Sequence, residues 1–118
     1  MKFATHLLDQ RATFSILHEE TLIPLQDLYR AAKTADAPAS LQALIDGGSA
    51  ALDQLKALVQ GLQHGDVQIS GIPLADVVWL PSVPKPGKIL AVAMNNRGLT
   101  VGAHKDPAGP MFFIKSPN

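Results

Sequence analysis

Residues 2–24 read KFATHLLDQRATFSILHEETLIP, three short apolar-alternating runs separated by two polar breaks. Side chains along an extended chain alternate between faces, so Phe3, Thr5 and Leu7 share one side of a first strand, Lys2 to Leu8. Arg11-Ala12 reads as a turn, and Thr13 to Leu17 as a second strand. Glu19-Glu20-Thr21 reads as another polar turn before Leu22-Ile23. Short runs joined by tight polar turns predict an antiparallel meander.

Downstream the period changes from two to three and four. Pro24 sits where the first turn of a helix tolerates proline, and Leu25, Leu28, Tyr29 and Ala32 follow at helical spacing. This helix is expected to stop before Pro38. Ser40 is placed to cap a short helix through Asp46, closed by Gly47-Gly48, and Ser49 to cap a longer one. Leu52, Leu55, Leu58, Val59 and Leu62 then form one apolar stripe, with Asp53, Gln54, Lys56 and Gln60 opposite, and Gly65 as the stop. Such a stripe faces a core or a partner. Val67 to Ile72 reads as extended, and Asp76 to Leu80 as a further short strand. Residues 1–80 are therefore expected to form an α+β domain, a small antiparallel sheet with two to three helices.

Pro81, Pro84 and Pro86 fall within six residues, so residues 81–87 read as a stiff connector. Residues 88–118 form the second part. Lys88 to Met94, KILAVAM, is continuously apolar, as for a strand buried on both faces. Asn95 to Pro110 is rich in Asn, Gly and Pro and reads as loop, and Met111 to Ile114 as another strand.

Composition narrows the classes of function. The chain has 118 residues, 47% hydrophobic and 17% charged, which is a globular balance. It contains no cysteine, so disulfides and thiolate metal sites are excluded. No run approaches the ~20 apolar residues of a membrane helix, and the expected location is the cytoplasm. The formal net charge is zero but unevenly placed. Residues 1–84 carry five basic and nine acidic side chains; residues 85–118 carry five basic ones against Asp106 alone. A basic C-terminal third can attract an anionic small molecule or pair with acidic surface elsewhere. Five basic residues spread over that length, without interleaved aromatics, argue against nucleic acid.

Three stretches carry a resemblance to a known family. Leu80 to Asn95, LPSVPKPGKILAVAMN, resembles the junction of fumarylacetoacetate hydrolase family proteins. There a proline-rich linker with a Pro-Gly-Lys step feeds the first strand of the catalytic domain, which ends in asparagine. Phe113-Ile114-Lys115-Ser116-Pro117 stands where the family has an apolar strand ending in Phe-Leu-Lys-Pro or a near variant. SLQALIDGGSAALDQLKAL, residues 40–58, is similar to the N-terminal region of bacterial members.

The resemblance implies a small α+β domain followed by a larger β-rich catalytic domain, whose first strands are residues 88–118. It implies a metal-dependent enzyme of aromatic catabolism, acting on a 1,3-dicarbonyl or 2-oxo acid substrate by C–C bond hydrolysis. A Mg2+ or Mn2+ ion held by three carboxylates would polarise the substrate and stabilise the departing enolate. Those ligands are expected beyond residue 118. The ten carboxylates present do not converge in sequence, so the chain alone is expected to bind no metal and to be inactive. In hydrolytic members a histidine and a glutamate, four and seven residues after the asparagine, activate water. Here those positions hold Leu99 and Gly102, and the tyrosine that follows the asparagine is replaced by Asn96. His104 lies further along and is a weak catalytic candidate beside a solvent-exposed loop role. The departure raises isomerase or decarboxylase chemistry as an alternative. Asn95, Arg97 and Lys115 are the candidates for substrate contact, with loop capping, a surface ion pair and a structural role as their respective competitors. His6, His18 and His64 have no partner pattern and read as surface or satisfied residues.

A non-catalytic domain that docks on and caps a catalytic body is the reading from a different class. An end just after an apolar strand favours a truncated enzyme over that reading. The missing remainder of the catalytic domain is thus an expected partner, and the uncovered strands of residues 88–118 are expected either to form a homodimer or to be poorly ordered in solution.

Overall fold

A computed structural model describes residues 1–34, 36–93 and 109–116. The chain is α+β and divides into two units, Met1–Pro84 and Lys85–Asn118.

The first unit is built on a meander. Strands β1 (Lys2–Leu8), β2 (Arg11–His18) and β3 (Thr21–Pro24) pair antiparallel in succession. The first turn is Asp9-Gln10, two residues earlier than the Arg11-Ala12 turn expected from sequence, and Arg11 opens β2. Asp9 and Gln10 have φ of 48° and 61°, the left-handed pair whose twist matches that of the flanking strands. Aspartate tolerates this region; glutamine carries the cost of its Cβ. The second turn is Glu19-Glu20, with Thr21 already in the ladder opposite His18.

Pro24 ends β3 and α1 (Leu25–Ala31) begins directly after it. The helix stops well short of Pro38. Lys33 turns left-handed at φ 56°, and the Thr34 N–H closes back on the Tyr29 carbonyl at 2.9 Å. Helix α2 (Leu41–Asp46) is capped by Ser40, whose Oγ accepts from the Ala43 N–H at 3.1 Å. Helix α3 (Gly48–His64) follows after Gly47, so Ser49 lies inside it rather than capping it. Gly65 ends α3 at φ 82°, a conformation open to glycine at little cost.

Of the stretch expected to be extended over Val67–Ile72, only Ile72 enters a strand, β4 (Ile72–Pro73), at one edge of the sheet, where proline is tolerated. The preceding residues do other work. The N–H groups of Asp66 and Val67 bond the Gly61 carbonyl, and Val67 and Ile69 pack against the core. Gly71 lies so close to β3 that a Cβ there would collide with the Thr21 side chain. Leu74–Asp76 forms a single 3-10 turn, so the last strand of the unit is only β5 (Val78–Leu80), paired with β1. The strand order is β4-β3-β2-β1-β5. Thr5 Oγ1 donates to the Ser82 carbonyl at 3.0 Å, which holds the start of the proline-rich segment in this unit.

Direct pairing places Phe3 beside Ile16, Thr5 beside Phe14, and Ile16 beside Ile23, all on one face. That face meets the helices. Phe14, Ile16 and Ile23 form one buried cluster with Leu25, Leu28 and Tyr29 of α1, Leu44 of α2, and Leu55, Val59 and Leu62 of α3. Phe3 packs against it, its ring centroid 5.6 Å from that of Phe14.

The second unit holds β6 (Ile89–Ala93) and β7 (Met111–Lys115), paired antiparallel as a two-stranded sheet. Burial of β6 on both faces, expected from its unbroken apolar run, is not what forms: Leu90 and Val92 are 63% and 46% exposed. Among the described residues no second layer covers this two-stranded sheet. Among the described residues no helix is long and apolar enough to cross a membrane.

Two stability outcomes follow from this packing. Leu55 is fully buried at the centre of the α3 stripe, so Leu55→Ala should cost about 2–5 kcal/mol in urea unfolding. A loss below about half a kilocalorie would place the stripe outside the core. Gln10→Gly should raise stability by up to about 1 kcal/mol by relieving the left-handed glutamine; a lower unfolding midpoint would remove the strained turn.

Candidate functional site

Of the four candidate site residues named from the sequence, Asn95, Arg97 and His104 lie outside the described residues. Lys115 closes β7, exposed and opposite Ile89. The hairpin register places it at a definite distance from the others' point of attachment. Met111 pairs with Ala93, the last described residue before the segment that holds Asn95, Arg97 and His104. Lys115 lies four strand steps from Met111, about 14 Å at the usual rise per residue. Lys115 is thus at the end of the sheet away from Ala93. It shares a face with Ile89, Ala91, Ala93, Met111 and Phe113, while Leu90, Val92, Phe112 and Ile114 occupy the other. Both faces are apolar, and both strands leave one row of backbone groups unpaired within this sheet.

The first unit holds a polar pair that the sequence reading did not bring together. His6 stands opposite Thr13, and Ser15 two residues further along β2, so the two are diagonal neighbours on the sheet face away from Phe14 and Ile16. His6 Nε2 and Ser15 Oγ are 2.8 Å apart. Such a distance suits a nucleophile and its base, but His6 is 1% and Ser15 0% exposed, so neither meets a substrate. The bond satisfies two buried polar groups. A pair nine residues apart becomes visible only when the turn between the strands has been placed. His18 is half-buried and His64 exposed, in agreement with their assignment as surface or satisfied residues.

Tyr29 is the one group with a displaced ionisation among those described. Desolvation by its buried surroundings pushes the phenol above its ordinary value of 10.0. Its hydroxyl has no hydrogen-bond partner among the described residues, which makes it a local cost to stability rather than a catalytic acid.

The first unit carries several surface clefts. One of about 310 Å³ lies between Lys2, Leu17, His18, Glu19, Val59 and Gln63. Another, about 290 Å³ and apolar, is lined by Phe3, Leu41, Leu44, Ile45, Gly48 and Leu52. Among the described residues no three His, Asp or Glu side chains approach closely enough to hold a metal ion. The ion pairs Asp27–Arg30 and Asp53–Lys56 are exposed neighbours on helices and add little. The chain matches no family model and no curated protein.

Ser15→Ala should leave His6 buried without its hydroxyl partner and cost about 1–3 kcal/mol in denaturant unfolding, whatever activity is assayed. An unchanged midpoint would mean that the bond contributes nothing. Tyr29→Phe removes a buried unpaired hydroxyl and should stabilise by about 1 kcal/mol near neutral pH. It should also change the alkaline limb. Burial disfavours the phenolate, so the fold holds the phenol proton more tightly than the unfolded chain does: stability is independent of this group below the unfolded value near 10 and falls as pH rises from there through the higher folded value. Wild-type protein should therefore lose stability above about pH 10 more steeply than the variant, as read by thermal melts across pH.

Proposed function

We propose that this chain is the N-terminal α+β domain and the opening strands of the catalytic domain of a cytoplasmic fumarylacetoacetate hydrolase family enzyme. The enzyme cleaves a C–C bond in a 1,3-dicarbonyl or 2-oxo acid substrate with the help of Mg2+ or Mn2+. The observation that carries this reading is the hairpin β6–β7, directly after the proline-rich segment, with large apolar side chains exposed on both faces: Leu90 63%, Phe112 63%, Phe113 51% and Ile114 69%. Strands of that composition suit the interior of a larger sheet, the place that the sequence resemblance assigns them. The basic balance of the second unit also suits an anionic substrate.

In this reading the chain supplies positioning groups, and the metal ligands and remaining sheet come from further chain. Asn95 would orient a substrate carbonyl through its amide, and Arg97 would pair with a carboxylate. Lys115, exposed at the end of β7 opposite Ile89, is the third candidate for substrate contact. His104 is the remaining candidate for moving a proton. The metal, when bound, supplies Lewis-acid stabilisation of the developing enolate. Leu99 and Gly102, at the positions of the water-activating pair, favour an isomerase or decarboxylase of the same family as the second reading. A non-catalytic capping role is favoured by the first unit having a core of its own.

The test uses the protein that contains these residues together with whatever follows them in its gene. Supplied with Mg2+, it should turn over an acylpyruvate or a related diketone, and chelation should abolish turnover. Arg97→Gln should raise KM at least tenfold for a carboxylate-bearing substrate. Release of the free acid distinguishes hydrolysis from isomerisation or decarboxylation. The 118-residue chain by itself should bind Mg2+ only weakly in calorimetry. A micromolar site on it, or turnover indifferent to chelation, would overturn the proposal.

A further inference from the structure

We draw no further inference here: the strongest candidate outside the hairpin already used above, the apolar hollow between β1, α2 and the start of α3 lined by Phe3, Leu41, Leu44, Ile45 and Leu52, is an unpartnered face, and nothing in the structure shows what covers it.

Discussion

The packing of α3 against the meander is the contact on which the first unit depends. A three-stranded meander with two very short flanking strands has little intrinsic stability in water, because its ladder bonds replace bonds to solvent. What offsets the chain entropy is removal of Phe14, Ile16 and Ile23 from water, and α3, the longest helix described, supplies Leu55, Val59 and Leu62 against them. Each such side chain contributes roughly 1.5–3 kcal/mol before entropy is counted. Helices α1 and α2 are seven and six residues long, too short to persist alone, and each is held by the side chains it sends into the same cluster.

That arrangement leaves the opposite sheet face with a different chemistry. His6 and Ser15 are buried there and satisfy one another, so a polar pair stands where an apolar core would otherwise be expected. Tyr29 shows the converse: its ring fills the helix-side cluster while its hydroxyl has no partner among the described residues. Packing volume, rather than hydrogen bonding, accounts for its position.

Among the described residues the second unit has no such closure. A lone two-stranded sheet is marginal in water, and here it displays Leu90, Phe112 and Ile114 on one face and Met111 and Phe113 on the other. The proposed family assignment gives those side chains a place in a larger sheet and gives the basic charge of residues 85–118 an anionic ligand. Of the candidate site, the sequence made the residue types and their order legible through a resemblance, while the described structure locates only Lys115 among them. Its position far from Ala93 along the hairpin was not legible, because it follows from the pairing register.

Local signals in the sequence determined β1, the capping of α2 by Ser40, the stop of α3 at Gly65 and the inward stripe of Leu55, Val59 and Leu62. Each depends on a period or on a side chain acting within a few residues of itself. The turn at Asp9-Gln10 was hidden because it lacks the glycine that usually marks a left-handed pair. Helix α1 stops before Pro38 as expected; that it ends as early as Ala31 was hidden because Lys33 adopts a conformation that lysine by itself does not favour. Val67 to Ile72 had the alternation of a strand, yet only Ile72 and Pro73 found a neighbour to pair with. The apolar run of β6 announced burial on both faces, yet Ile89, Ala91 and Ala93 are only half-buried and Leu90 and Val92 are exposed. Periodicity is a property of the chain and can be read from it; which strand finds a partner, and what covers its faces, depends on segments distant in sequence, and only the tertiary structure decides that.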